Sequence, residues 1–172
     1  MNRPGRSLII LPLALLVCLS GFSAEGDWES MNLEIARLYS RGELESAVTL
    51  AEQSLSRAKS EFGPAHLNTA KALNNLANLY FRIGRIDEAG WMYEDAIRAE
   101  ESLLGSSSKS AADTRYNLAM LLLYRGDKRK AASELERVMH VYRTQKDPDL
   151  KAISRVEDAL KLARQNSESN RR

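Results

Sequence analysis

The stretch TAKALNNLANLY at residues 69–80, with GRIDEA following at residues 84–89, decides the fold. The apolar residues of the first segment recur at the i, i+3, i+4, i+7 spacing of one helix face: Leu73, Leu76, Ala77 and Tyr80. Gly84 then stands where a helix must end and the chain must reverse, because glycine tolerates a positive φ. The second segment opens another helical pattern. The stretch therefore predicts a helical hairpin with one apolar face that it cannot bury alone.

This pattern recurs along the chain with a period of 42 residues. Glycines mark the turns, and an alanine follows each glycine by five residues: Gly42, Gly84 and Gly126, then Ala47, Ala89 and Ala131. We expect hairpins at about 28–61, 66–104 and 109–145, with a closing helix at 148–165, because Pro64 and Pro148 favour helix starts over helix interiors. The predicted fold is an all-α solenoid of three antiparallel hairpins plus a C-terminal capping helix, in one domain at 24–165. The polar residues 166–172 are predicted to be a disordered tail.

The quoted residues resemble the tetratricopeptide repeat. The 42-residue period and the preceding FGPAH at residues 62–66 resemble the longer, kinesin-light-chain type of that repeat. Members of this family are generally protein-binding scaffolds in which antiparallel helix pairs stack into a right-handed superhelix. The resemblance covers residues 30–145 and implies that the first helix of each hairpin lines a concave groove.

Carrying the family's groove positions over to this sequence gives a candidate binding face. Its residues are Leu33, Arg37, Lys71, Asn74, Asn75, Asn78, Phe81, Arg82, Asp113, Tyr116, Asn117, Met120 and Tyr124. An asparagine row can hold a peptide backbone, because each carboxamide both donates and accepts hydrogen bonds. Asparagine is also a poor helix former, so three within five residues argue against mere solvation of an exposed face. We expect the three side chains to point away from the hairpin core, so that the fold survives their truncation.

Some members of this family clamp a C-terminal carboxylate through matched Lys, Asn and Arg positions. The corresponding positions here hold Leu33, Arg37, Asn75, Asp113 and Asn117. Only Asn75 fits that pattern, and Asp113 would repel a carboxylate. The sequence therefore argues against binding of chaperone tails.

Two further surface features have alternative interpretations. Trp91 follows Gly90 in the second hairpin and is either an interface anchor or packed against a neighbouring helix. Residues 24–104 carry 14 acidic and 8 basic residues, whereas residues 105–172 carry 9 and 15, with Lys128, Arg129 and Lys130 together at one turn. This asymmetry predicts either two solvated faces, steering of an acidic partner, or head-to-tail self-association.

Residues 1–23 have the features of a cleavable secretory signal: a basic start, an apolar run from Leu8 to Leu19, and small residues beyond it. Twelve apolar residues in a helix span about 18 Å, short of the bilayer's roughly 30 Å of hydrocarbon. Gly21 and Ser23 fit the small positions that precede a cleavage site, which puts the mature start at Ala24. An uncleaved anchor and a lipoprotein modified at Cys18 are the alternatives. Cleavage would leave a cysteine-free chain exported to a periplasmic or secreted location.

The remaining composition favours no catalytic or nucleic-acid-binding chemistry. The formal net charge of +2 is far from a nucleic-acid-binding balance. The chain has one cysteine, and its two histidines, His66 and His140, are better explained as a helix-start residue and an isolated helix residue. No phosphate-cradling loop, metal-binding His-Glu pair or nucleophile elbow appears, so we expect neither an enzyme nor a bound cofactor or metal. The sequence predicts an exported scaffold for a protein or peptide in the envelope or extracytoplasmic space. The alternative is a structural protein that self-associates through oppositely charged ends.

Overall fold

The computed structural model describes residues 24–165, with side chains from Trp28 onward. The predicted signal at 1–23 and the predicted tail at 166–172 lie outside the described residues. The described part contains seven helices and no strand, which confirms the all-α prediction. The helices are α1 (Ala24–Ser40), α2 (Leu44–Phe62), α3 (Leu67–Arg82), α4 (Ile86–Leu104), α5 (Lys109–Arg125), α6 (Lys128–Thr144) and α7 (Leu150–Arg164).

The first helix of each hairpin ends in the same hydrogen-bonded turn. Beyond α3, the Arg85 N–H donates to the Tyr80 carbonyl at 2.8 Å, and Gly84 between them has a φ of +84°. The same bond recurs 42 residues later, from Asp127 to Leu122 at 2.8 Å. This 6→1 bond satisfies a carbonyl that the helix end leaves unpaired, and it requires a left-handed residue, which favours glycine. The recurring glycines therefore set where each hairpin reverses.

The starts of α3, α5 and α7 are capped by side chains. His66 Nδ1 accepts from the Asn68 N–H at 3.1 Å, and Ser108, 42 residues on, accepts from the Ala111 N–H at 3.4 Å. Asp149 accepts from two N–H groups at 3.0 Å, and these bonds, led by the one from Ala152, hold the pKa of its carboxyl below the usual value. Such caps contribute about 0.5–2 kcal/mol each.

Small residues let the two helices of each hairpin approach closely. Ala47, Ala89 and Ala131 occupy equivalent positions on α2, α4 and α6, and all three are fully buried.

The core is continuous from α1 to α7, because Leu123 of α5 packs against both of its apolar clusters. Arg115 of α5 adds a polar link between hairpins by pairing with Glu101 of α4 at 2.7 Å and with Glu134 of α6.

The odd-numbered helices lie along one side of the stack. Besides its hairpin partners, α3 contacts α5, and α5 contacts α7. Within residues 24–165 no even-numbered helix contacts another even-numbered helix in this way. The helices α3, α5 and α7 therefore share one face of the stack, here called the inner face, and the hydrogen bond between Asn75 and Asn32 joins α1 to it.

Candidate functional site: a groove lined by the first helices

The inner face carries two adjoining pockets. The first, of about 530 Å³, is lined by residues of α1, α3, α4 and α5. The second, of about 380 Å³, is lined by α1 and α3 only. Asn32 and Asn75 line both pockets, so the two form one groove across the inner face. Volumes of this order are typical of ligand sites.

A ladder of asparagines forms the floor of the groove. Asn75 of α3 donates its Nδ2 to Asn32 Oδ1 of α1 at 2.9 Å. Asn117 of α5 donates in the same way to Asn74 Oδ1 of α3 at 3.1 Å. Both bonds join residues 43 positions apart, so one contact is made twice between successive repeats. Each bond uses one donor and one acceptor of its pair, which leaves further amide hydrogens and lone pairs for a ligand.

The third asparagine has a different role from the one expected. Asn78 Oδ1 accepts a hydrogen bond at 2.6 Å from the hydroxyl of Tyr93, which is only 1% exposed. Burial raises the pKa of Tyr93 well above its usual value, so this hydroxyl stays protonated as a donor. The expectation that Asn78 points away from the hairpin core is therefore wrong. Its carboxamide satisfies a buried group that would otherwise have no partner.

Aromatic and basic side chains occupy one end of the groove. The Phe81 ring meets that of Tyr124 edge to face, with centroids 5.5 Å apart, and Tyr124 remains 71% exposed. The Arg82 guanidinium lies 5.8 Å from the centre of the Tyr39 ring. Exposed aromatic rings held by such contacts offer apolar area with little conformational freedom to lose on binding.

Acidic side chains predominate at the other end. Here Lys71 and Leu33 are exposed at the rim beside Glu29 and Asp113. Asp113 is already partnered: it accepts from Lys109 at 2.9 Å and from the Tyr142 hydroxyl at 2.6 Å. Burial and this bond raise the pKa of Tyr142. The groove therefore has chemically different ends.

Five residues of the predicted face line neither pocket: Arg37, Tyr116, Asn117, Met120 and Tyr124. Arg37 lines neither pocket and pairs with Glu34 at 3.3 Å on the exposed face of α1. Tyr116 and Met120 line neither one and pack, partly buried, against the core shared by α5, α6 and α7. These two residues therefore contribute to packing in the C-terminal half, and their expected contact with a ligand stays a prediction.

The secondary surface features lie apart from the groove. Trp91 is 66% exposed on α4, so the interpretation that it packs against a neighbouring helix is wrong. Lys128, Arg129 and Lys130 form the first turn of α6, where the helix dipole disfavours positive charge.

The structure also places the two histidines. His66 caps α3 and stacks on Phe62 with centroids 4.9 Å apart, as a helix-start residue should. His140 lies on α6 beside Arg137 in a separate pocket of about 620 Å³. Among residues 24–165 no group of three or more His, Cys, Asp or Glu side chains is placed to hold a metal ion. None of the helices in that part of the chain is both long and apolar enough to cross a bilayer.

Several residues that line the groove were not part of the sequence-based prediction, among them Asn32, Tyr39, Trp28 and Glu100. Asn32 could have been found, since it stands one 42-residue period before Asn74. Tyr39 likewise stands one period before Phe81. Trp28 and Glu100 carry no such signal, because the equivalents of Glu100 are Ala58 and Tyr142.

Comparison with known proteins agrees with this architecture. The family model described as tetratricopeptide repeat matches residues 29–101. Protein KINESIN LIGHT CHAIN-RELATED 3 of Arabidopsis thaliana is 35% identical over 84 residues, 49% of this chain and 13% of that protein. Protein KINESIN LIGHT CHAIN-RELATED 2 of Arabidopsis thaliana is 32% identical over 79 residues, 46% of this chain and 12% of that protein. The chain thus spans only about an eighth of the length of these relatives.

A solved structure extends the agreement beyond the matched repeats. The crystal structure of BtubC (BKLC) from P. vanneervenii superposes with a TM-score of 0.79 over 84% of this chain and 58% of that chain, at 18% identity. At this identity the likeness concerns the fold. Residues 29–101 thus match the tetratricopeptide repeat, and the described part of the chain is a helical repeat scaffold similar to kinesin light chain-like proteins, of a type that is typical of protein–protein interaction.

Proposed function

We propose that this chain is an exported scaffold that binds a peptide segment of a partner protein in the groove lined by α1, α3 and α5. The observation that carries the proposal is the asparagine ladder, because three of its members, Asn32, Asn74 and Asn75, line two joined pockets. Carboxamides held in place by one another can meet both the N–H and the C=O groups of a peptide backbone without selecting its sequence. Specificity would then come from the two ends of the groove.

The groove favours an extended or helical segment over a small metabolite. Both pockets are open to solvent and lie side by side, so a ligand that fills both must be elongated. The exposed aromatic ring of Tyr124 beyond Phe81 extends the same surface. Peptide-binding grooves draw affinity from such aromatic anchors and register from backbone hydrogen bonds.

Selection from a displayed library of random peptides on the full chain tests this proposal. Two single variants provide the comparison, because they truncate aromatic side chains of similar exposure: Tyr124→Ala at the groove and Trp91→Ala on α4. We expect Tyr124→Ala to weaken the selected peptides by about tenfold, equivalent to about 1.4 kcal/mol, and Trp91→Ala to leave them unchanged. If Trp91→Ala loses binding and Tyr124→Ala keeps it, the binding face is not the groove.

Export is a separate part of the proposal and rests on the pattern of residues 1–23. The mature chain would begin near Ala24 and act in a periplasmic or secreted location, in the assembly of an envelope or extracytoplasmic complex. An intact mass measured on the natively produced protein tests this: the mass of all 172 residues would contradict cleavage. Self-association through oppositely charged ends remains the alternative, and a mass in sedimentation that falls with added salt would support it.

A further inference from the structure

Glu100 is a buried acidic residue with an unmet oxygen. It lies on α4, is 2% exposed, and its Oε1 accepts from the Ser110 hydroxyl. Its Oε2 is buried and has no hydrogen-bond partner among the described residues. A buried carboxylate oxygen without a donor is costly, so native structures rarely keep one without a reason.

The fold itself does not require an acid at this position. The residues one period away in the other hairpins are Ala58 and Tyr142, and both are buried. An alanine and a tyrosine thus pack well in the same place between a second helix and the next first helix. The carboxyl group of Glu100 is therefore an addition to the repeat that packing does not explain.

Glu100 lines the 530 Å³ pocket of the groove. That pocket also has the carboxylates of Glu29 and Asp113, and its one basic lining residue is Lys71. Asp113 has Lys109 as its cation, whereas no Lys or Arg within the described residues pairs with Glu100. This end of the groove therefore lacks a positive charge to pair with Glu100, the most deeply buried of its acidic residues.

A second unmet group lines the same pocket. Trp28 is 7% exposed, and its Nε1–H, a donor, finds no acceptor in the described part of the chain. The pocket therefore lacks both a donor for Glu100 and an acceptor for Trp28. A peptide residue with a basic side chain supplies both, since its side chain donates and its backbone carbonyl accepts.

We infer that this pocket receives a lysine or arginine side chain of the bound segment, with Glu100 as its counter-charge. The inference rests on the proposed peptide-binding function and specifies which residue the acidic end of the groove selects. An ion pair with a carboxylate as buried as that of Glu100 discriminates strongly against a neutral side chain, because that side chain would leave Glu100 unpaired.

The test repeats the random-peptide selection on the full chain and on Glu100→Gln, which keeps the shape of the side chain and can keep the Ser110 bond. Glu94→Gln is the matched control, because Glu94 is exposed on the same helix. We expect one peptide position to be enriched in Lys or Arg with the natural chain and with Glu94→Gln, and the enrichment to disappear with Glu100→Gln. Replacing that residue by citrulline or acetyl-lysine in a synthetic peptide should weaken binding to the natural chain at least tenfold. The same replacement should not change the affinity for the Glu100→Gln variant.

The outcomes separate the two proposals. Peptides that need Tyr124 but show no basic position would overturn the role of Glu100 and leave groove binding intact. Selection of no peptide, or only of peptides that depend on Trp91, would overturn groove binding itself. If Glu100→Gln is poorly folded by circular dichroism, Glu100→Ala replaces it, since Ala58 shows that alanine suits this position.

Discussion

Truncating Asn78 to alanine should destabilise the fold, although the same change at Asn74 should do little. Asn78 Oδ1 accepts a hydrogen bond from the hydroxyl of Tyr93 at 2.6 Å, and Tyr93 is buried. Removing the acceptor leaves an unsatisfied buried donor, which costs about 1–3 kcal/mol. Alanine returns up to about 0.7 kcal/mol because it is the better helix former. The free energy of unfolding should therefore fall by about 0.3–3 kcal/mol.

The Asn74→Ala variant is the matched control on the same helix. It loses the bond from Asn117, but both partners are half-buried, so the remaining carboxamide can turn to water. A bond of this kind contributes about 0.5–1.5 kcal/mol net, and the gain in helix propensity offsets much of it. We expect Asn78→Ala to be less stable than Asn74→Ala by about 1 kcal/mol.

Urea unfolding of a double-mutant cycle provides the assay. The cycle combines Asn78→Ala with Tyr93→Phe, which removes the donor while keeping the ring in the core. Once the hydroxyl is gone, truncating Asn78 should cost little, so the coupling free energy should be about 1 kcal/mol. Additive effects of the two substitutions, or equal midpoints for Asn78→Ala and Asn74→Ala, would refute the assigned bond.

Two further predictions concern packing and pH. Ala89→Leu should overfill the contact between α3 and α4 and lower the free energy of unfolding by about 1–3 kcal/mol, because Ala89 is fully buried. Ser106→Ala on the exposed α4–α5 loop should leave stability nearly unchanged. Equal urea midpoints for the two variants would contradict the repeat alignment. Burial raises the pKa values of Tyr93 and Tyr142, so above about pH 10 the unfolded chain releases protons that the folded chain keeps, and stability should fall as the pH rises. Unfolding followed against pH should show a smaller decline when both tyrosines are changed to phenylalanine, and an unchanged decline would contradict their assigned burial.

The repeat itself could be predicted because its signals are local. A glycine that must adopt a positive φ, such as Gly84 or Gly126, and an alanine that must admit a neighbouring helix, such as Ala89, are dictated by the chain within a few residues. Because the period of 42 residues occurs three times, each of these local signals appears in all three hairpins. Helix ends, caps and the buried stripe all follow from such short-range constraints.

The candidate site was less predictable because its chemistry depends on which helices face each other. Nothing in the spacing of Asn78 distinguishes it from Asn74, yet one holds a buried tyrosine and the other a groove neighbour. Tyr116 and Met120 fit the groove pattern of α5, but they pack against the core that α5 shares with α6 and α7. Glu100 differs in the opposite way: its position in the repeat predicts a packing residue, whereas its carboxyl group lines the groove.

The different roles of the three asparagines follow from helix geometry combined with the repeat. Successive residues on a helix are separated by about 100°, so Asn74 and Asn75 diverge from α3 toward opposite neighbours, α5 and α1. Asn78 lies about one turn further on and reaches α4 within its own hairpin. The two ladder bonds require the same offset of 43 residues, so changing the length of one repeat by a single residue would rotate one partner by about 100° and break its bond. The asparagine floor of the groove is thus a property of the stacked repeats, and no single helix among the described residues could provide it alone.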